Sequence, residues 1–304
     1  MKQVAVILIN YNTSKFTLEC IQAVVAKTSE AISYEIIVVD NNSELSDYKN
    51  LKKHFPKHPN IRLYRSDINT GFGGGNTFGS QFANARYLLF LNNDAMLKND
   101  CLSMLSQFME DNRTVGVCTA QNYDEHNTFV PSFDHNKGIR RLLFGRGFLE
   151  KINPKVYPKR KKEYASPLEV NWVNGAFLFF RNEAFQKIGG FDTNIFLYWE
   201  EMDLCHRLRK NGYTSVLVPQ AMILHYQGVS IGNSEKISKE AYISYLYVLR
   251  KNHHFIKYIW IRKYLIFVIL LKPKKWFLLS VLLKLNPSKA SLKHLQQPRY
   301  LDEN

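Results

Sequence analysis

The sequence predicts an α/β protein built on a mostly parallel central sheet flanked by helices. Three observations predict it. Continuous apolar, β-rich runs of strand length recur through the first half of the chain. Helix-patterned segments separate them, and a polar cluster follows each run. Strands that are apolar on both faces belong to sheets covered on both sides, and crossover helices between them favour parallel pairing.

Taken in order, residues 4–10 (VAVILIN) form the first buried strand, and Ser14 caps a helix running to about Lys27. Residues 34–40 (YEIIVVD) form the second strand, 44–54 a helix, 61–64 the third strand and 74–85 a helix. Residues 87–92 (YLLFLN) are the fourth strand, followed by a helix over 100–112 opened by Asn99 or Asp100. The second half is less regular. Residues 170–181 read as strand around a Gly turn, and 198–211 as a helix stopped by Gly212. Strand-like stretches follow at 214–218 and 222–225, and the pattern is helical from Ser234 onward. The expected organisation is a body over 1–230, divided into halves 1–120 and 121–230, and a basic helical tail over 231–304.

The chain has 304 residues, 45% hydrophobic and 22% charged, which excludes a disordered or collagen-like chain. Cys20, Cys101, Cys118 and Cys205 are scattered with no CxxC pair, which argues against a disulfide scaffold or zinc ribbon and for a reducing compartment. The net charge of +15 is concentrated. Residues 137–162 hold ten Lys/Arg and one acid, residues 230–304 fourteen and four, and the rest of the chain is mildly acidic. Such a field favours an anionic partner. In the tail, two apolar runs (258–271 and 276–283) carry Trp, Tyr, Lys and Arg, and neither reaches the ~18–20 residues that span a bilayer. This composition predicts amphipathic helices lying on an anionic membrane surface. A nucleic-acid partner is not expected, because the aromatics sit inside apolar runs. The N-terminus leads straight into a strand, without a signal-peptide pattern.

In an open parallel sheet, ligands bind beyond the carboxyl ends of the strands. The four strand ends carry Asn10-Tyr11-Asn12, Asp40-Asn41-Asn42-Ser43, the segment Asn69 to Asn76, and Asn92-Asn93-Asp94. Asp40 can accept from a base imide or a ribose hydroxyl, and the glycines of 71–75 allow close backbone approach to a ligand. That run fails GxGxxG at its last position and follows the third strand, so it is not a dinucleotide fingerprint; no GK[ST] is present. Asp94 can hold Mg²⁺ or Mn²⁺ against a pyrophosphate while the two amides address sugar hydroxyls, or it can simply cap a helix. Glu200, Glu201 and Asp203 open the second-half helix; such a run supplies a base or cation site, or a solvated helix face. Asp203 and Arg207 stand i, i+4 and can pair. His225 either completes the metal site or is a core histidine.

Together these residues resemble family 2 glycosyltransferases of the nucleotide-diphospho-sugar transferase (GT-A) fold, in particular the bacterial rhamnosyltransferase-like branch that builds surface polysaccharides. The resemblance covers roughly residues 3–230 and rests on VILINYN, VVDNNS, NTGFGGGNT, LFLNNDA, VNGAFLFFRNEAF, GGFDTNIFLYWEEMDLCHRLRKNGY and LHYQGVS, in order. It implies that Tyr11, Asp40 and Asn42 hold the donor's base and ribose, and that Asn69, Gly71 and Asn76 shape the donor pocket. It implies that Asn92-Asn93-Asp94 stands at the Asp-x-Asp-like motif, with Asn in place of its first Asp, and that Asp94 binds metal and pyrophosphate. Trp172, Asn174 and Gly175 would line the sugar and acceptor side. Glu201 stands where the family usually carries an Asp base, with Glu200 as the alternative; Asp203 would be structural, and His225 a metal ligand. The implied activity is inverting transfer of a rhamnose-like or other hexose from a nucleoside-diphosphate sugar to a lipid-linked saccharide, at the cytoplasmic face of the inner membrane. The segment 137–162 is read as an acceptor loop. The alternative is an impaired, nucleotide-sugar-binding partner subunit. A nucleotidyltransferase would need a Gly-rich, basic loop after the first strand, where this chain has Asn-Tyr-Asn-Thr-Ser.

Overall fold

The structure is a computed structural model that describes residues 1–226 and 234–299. The first half alternates as expected: β1 (Lys2–Asn10), α1 (Ser14–Lys27), β2 (Tyr34–Asp40), α2 (Leu45–His54), β3 (Ile61–Arg65), α3 (Gly71–Ser80), β4 (Ala85–Asn92), β5 (Ala95–Leu97) and α4 (Cys101–Asp111). β6 (Val115–Tyr123) precedes short strands β7 (Phe129–Val130) and β8 (Phe133–Asp134). The basic segment forms helices α5 (Ile139–Phe144) and α6 (Arg146–Ile152). Then come β9 (Leu168–Glu169), β10 (Trp172–Val173), β11 (Phe177–Arg181), α7 (Asn182–Lys187), α8 (Glu200–Lys210) and β12 (Thr214–His225). The tail contributes α9 (Glu235–Asn252), α10 (Phe255–Leu270) and α11 (Leu279–Leu282).

The main sheet runs β3-β2-β1-β4-β11-β6-β12-β5. Strands β3, β2, β1 and β4 are parallel, as the apolar runs predict. The sheet is mostly parallel, as expected: β6 and β12 also pair in parallel, and two strands of this path run against the rest. β11 inserts antiparallel to both β4 and β6, and β5 runs antiparallel to β12. Register puts the functional strand ends level: Asn10 lies opposite Asp40, Asp40 opposite Arg65, and Ile9 opposite Asn92. His225 lies opposite Ala95, beside Asp94. Both faces of the sheet are packed, with Phe177 and Phe179 on one side and Phe90 and Phe180 on the other, all fully buried. Each such phenylalanine contributes about 1.5–3 kcal/mol of burial.

One local expectation is corrected and two are refined. Ser14 is not the cap of α1: Thr13 occupies that position without a side-chain bond, and Asp47 accepts the Ser14 N–H instead. Asp100, not Asn99, caps α4 by accepting from Ser103 N–H. Helix α3 begins at Gly71, three residues before the expected start, so the glycines of 71–75 lie within it. Gly75 and Gly79 let α3 press onto the sheet, the first against Ile9. A Cβ on Gly79 would stand 2.7 Å from Ile7 and 3.0 Å from Val39.

The tail folds back on the body. Ile243, Leu246, Leu249, Ile261, Leu265 and Ile269 form a core with Ile195 and Met202, close to the start of α8. α10 departs from the expected amphipathic pattern: it buries Tyr258, Ile261, Leu265 and Ile269 and still exposes Phe255, Ile256, Trp260, Phe267 and Leu270. Among the described residues, no helix is long and apolar enough to cross a membrane.

Candidate active site

The rim at the carboxyl ends of β1, β2 and β4 is a closed polar network. Asn10 Nδ2 donates to Asp40 Oδ2 (2.9 Å), Asp47 and Ser43, while its Oδ1 accepts from Thr17. Asn93 Nδ2 donates to Thr13 and Thr17. Arg65 pairs with Asp40 Oδ1 at 2.7 Å, and Ser43 N–H donates to the same oxygen. Buried polar groups need such partners, and a saturated network fixes the rim. It also corrects one expectation. The Asp40 carboxylate is fully buried and committed to the fold, so its neighbour Asn41 reaches the cavity in its place. Asn76 is likewise buried, donating to Phe72 O, and lies outside the cavity lining.

Above the rim is a cavity of ≈ 290 Å³ lined by Tyr11, Asn41, Asn69, Gly71, Asn92 and Asn93, with Phe72 and Phe196 as apolar walls. Asn41 holds its edge, donating to Asn69 Oδ1 and Gly71 O and accepting from Thr70 N–H. The far wall comes from the tail: Ile237, Leu292 and Gln296. The buried Glu240 carboxylate anchors that segment, accepting from Ser291 Oγ and Leu292 N–H at 2.7 Å each. Asn42, beside the cavity, then donates to Gln297 O at 2.8 Å. Nothing in the local sequence pattern signals this return of the C-terminal segment to the first half's rim.

Asp94 and His225 meet. The carboxylate, 5% exposed, stands 3.3 Å from His225 Nε2. The antiparallel pairing of β5 with the end of β12 makes that approach, and Tyr226 N–H donates to Asp94 O. Among the described residues, no group of three or more His, Cys, Asp or Glu converges on a metal position. Two protein ligands fit a hard cation that keeps waters and takes its other oxygens from a substrate diphosphate, and do not fit a closed structural site.

The acidic turn is strained and braced. Tyr198 and Trp199 both have positive φ (71° and 73°), a left-handed conformation that costs non-glycine residues about 1–2 kcal/mol each. Trp199 is held by its Nε1 donating to Ala241 O (2.8 Å), by Tyr245 at 4.8 Å and by Trp172 at 6.3 Å between ring centroids. The three acids that follow have different surroundings. Glu201 lies against Gly175: a Cβ at Gly175 would sit 2.1 Å from Glu201 Oε1, so any side chain there displaces the carboxylate. Burial holds the Glu201 carboxyl above the ordinary carboxylate range, as a base working near neutral pH requires. The same turn reaches the end of β4: Asn174 Oδ1 accepts from Ala176 N–H, and Ala176 O accepts from Asn92 N–H at 3.0 Å. Trp172, Asn174 and Gly175 lie outside the cavity lining; Gly175 packs on Glu201 and Trp172 on Trp199. Asp203 is fully buried and bound by Arg207, Lys251 and Asn252, a structural clamp.

Glu200 is buried against Gly73 with Oε1 unpartnered. Burial, then the neighbouring Glu201, pushes its carboxyl well above the usual range. The folded state therefore takes up a proton that the unfolded state releases. That contribution to stability is complete below the ordinary carboxylate pKa and is lost as pH rises through the folded value. Glu200→Gln, which cannot ionise, is expected to melt higher than the wild type at about pH 9 and to gain much less at about pH 5. Equal differences in melting temperature at the two pH values would exclude a neutral Glu200.

These features belong to a GT-A-type sugar-transferase fold: a cavity on the strand rim, Asp94 next in sequence to its Asn93 lining, and an acidic turn that follows its Phe196 and Leu197 lining, while His225 lines a separate cavity with Asp124 and His126. The glycosyl transferase family 2 pattern matches residues 5–189, and the chain belongs to that family. It is 29% identical to the rhamnosyltransferase WbbL of Escherichia coli K12 over 204 residues, 64% of this chain and 73% of that protein. It is 36% identical over 96 residues to an N-acetylglucosaminyl-diphospho-decaprenol L-rhamnosyltransferase of Mycobacterium tuberculosis, 31% of each chain. Among solved structures, it is similar to the mannosyltransferase PcManGT of Pyrobaculum calidifontis in complex with GDP-Man and Mn²⁺. There the TM-score is 0.59 and identity 15%, covering 95% of this chain and 74% of that one. The corresponding values for GalNAc-T7 with UDP, GalNAc and Mn²⁺ are 0.60, 16%, 80% and 47%. The chain spans less than half the length of GalNAc-T7 and of the mycobacterial protein.

Proposed function

We propose that this chain is an inverting glycosyltransferase that moves a rhamnose-like or other hexose from a nucleoside-diphosphate donor to a lipid-linked saccharide, in cell-surface polysaccharide synthesis. One observation carries the reading. The Gly175–Ala176 turn holds the Glu201 carboxylate on one side and the Asn92 end of the Asn92-Asn93-Asp94 segment on the other, next to the cavity. Tyr11, Asn41, Asn42 and Asn69 bind the base and ribose, and Gly71, Asn92 and Asn93 border the sugar. Mg²⁺ or Mn²⁺ held by Asp94 and His225 would offset the negative charge that develops on the departing diphosphate.

Glu201 removes the proton from the acceptor hydroxyl. The freed oxygen forms a bond to the anomeric carbon on the face opposite the diphosphate. The anomeric C–O bond breaks with its electron pair on the nucleoside diphosphate, and the configuration inverts. The rhamnosyltransferase relatives support the sugar class, and the exposed aromatics and cations of α10 support action at the cytoplasmic face of the inner membrane, peripherally bound.

A donor panel with Mn²⁺ and a lipid-linked acceptor pool tests this reading. Expected are transfer from one or a few donors with release of nucleoside diphosphate, and its loss on chelation. Nucleotide-sugar binding without turnover on any acceptor would favour the partner-subunit reading, and absence of donor binding would exclude both.

A further inference from the structure

The two basic stretches of the sequence come together beside the catalytic helix. They enclose a cavity of ≈ 550 Å³ lined by Lys137, Arg140, His206, Arg209, His253 and Lys257, among other residues. Among the described residues, no carboxylate lines it. The nearest acids are already committed: Asp134 to Arg141 and Arg160, and Asp203 to Arg207 and Lys251. α8 positions the cavity against the catalytic turn. Met202, His206 and Arg209 lie on one helix face at spacings of four and three residues, and Met202 directly follows Glu201. Lys137 Nζ lies 4.1 Å from the ring centroid of Trp199, two residues before Glu201.

The groups inside oppose each other's charge. Lys257 Nζ donates to His253 Nδ1 at 3.3 Å, so that imidazole accepts as the neutral base. Burial, and then the cations of neighbouring side chains, pushes Lys137 down to about 8 and His206 down to about 4. Burial and Arg140 lower Lys257, and burial with Lys257 and Lys210 lowers His253. His206 Nε2 is buried without a partner. An anion placed among these groups removes that mutual repulsion and gains several charge-assisted hydrogen bonds.

The surrounding surface suits an amphiphile. Phe255 and Ile256, 65% and 72% exposed, immediately precede Lys257, and Leu143 and Phe144 on α5 are also exposed close after Arg140. Tyr264 OH donates to Leu142 O, which joins α10 to α5 along this apolar face.

We propose that this cavity receives the diphosphate of the lipid-linked acceptor, with its lipid chain on the exposed apolar surface of α5 and α10 and its saccharide directed to Glu201. This rests on the glycosyltransferase reading above. It gives the segment 137–162 a role in holding acceptor charge.

The test uses the full chain and an Arg140→Ala/Lys257→Ala double variant, neither position belonging to the donor site or the acidic turn. With chelator present, inorganic pyrophosphate titrated by calorimetry should bind the wild type and Asp94→Asn alike, and the double variant at least about 10-fold more weakly. The wild type should prefer a diphospho-lipid-linked saccharide over the same saccharide on a neutral alkyl chain. The double variant should lose that preference through a raised KM, with nucleoside-diphosphate affinity unchanged and sedimentation with phosphatidylglycerol vesicles weakened no more than by Lys263→Ala/Lys272→Ala, which removes the same charge at exposed positions outside the cavity. Unchanged pyrophosphate affinity in the double variant overturns the cavity assignment. Loss of vesicle binding with the acceptor preference intact also overturns it, assigning the cavity to a lipid headgroup. Failure of the wild type to transfer to either acceptor overturns the glycosyltransferase reading itself, while the pyrophosphate titration still reports on the cavity.

Discussion

Glu201→Gln is expected to lower the rate of sugar transfer by about 10²- to 10⁴-fold, the range a positioned general base contributes, with donor affinity unchanged. The substitution keeps the side chain's shape. Its amide occupies the same space against Gly175, so the local packing is preserved. What is lost is the capacity to take a proton. Single-turnover transfer rates, measured alongside the nucleoside-diphosphate dissociation constant, separate the two effects. A loss of less than about 10-fold would move the base role elsewhere. Glu200 would be the first candidate, although its carboxylate faces Gly73 from a buried position with one oxygen unpartnered. Gly175→Ala should reproduce much of the defect, because the added methyl displaces Glu201 without removing it.

The reason this site was partly legible lies in how its pieces are encoded. Strands β1, β2 and β4 are continuous apolar runs, and parallel pairing brings their polar termini level, so Tyr11, Asn69, Asn92 and Asp94 could be placed at one rim from the sequence. The pairing of His225 with Asp94 depends on β5 running antiparallel to the end of β12, which no local periodicity encodes. The same holds for β11, whose antiparallel insertion mixes the sheet. The glycines of α3 carry the composition of a ligand loop and instead serve close helix–sheet contact. Asp40 has the residue type of a donor ligand, but Arg65, distant from it in sequence, consumes its charge. The cavity wall made by Leu292 and Gln296, and the basic cavity joining Lys137 to Lys257, are built by contacts between segments more than a hundred residues apart. Sequence pattern records which residues are polar or apolar. It does not record which distant partner satisfies them.

Asp203→Ala is expected to destabilise the folded chain by about 3–5 kcal/mol, the cost of removing one partner from a buried ion pair. Its carboxylate is fully buried, takes Arg207 at 2.7 Å and Lys251 at 3.0 Å, and accepts from Asn252 Nδ2 at 2.9 Å. Arg207 is on α8, whereas Lys251 and Asn252 are on α9, so this one side chain ties α8 to the tail. Its removal leaves Arg207 short of its counter-charge, and leaves Lys251 with Asp192 as its remaining acidic partner, at 2.7 Å. Urea unfolding measures the loss. A second variant separates charge from packing. Lys251→Met in the Asp203→Ala background removes one stranded cation, and a coupling energy of about 0.5–3 kcal/mol is expected for residues in one such network. Strict additivity of the two substitutions would show that the clamp does not act as a unit. The contrast with Glu201 is the informative part. Two acids separated by a single residue of one helix should fail in different ways, Glu201→Gln in the chemical step at preserved stability, and Asp203→Ala in stability, with faster proteolysis of the tail. The difference follows from which groups each carboxylate touches, since the two residues differ little in chemistry and hardly at all in sequence position.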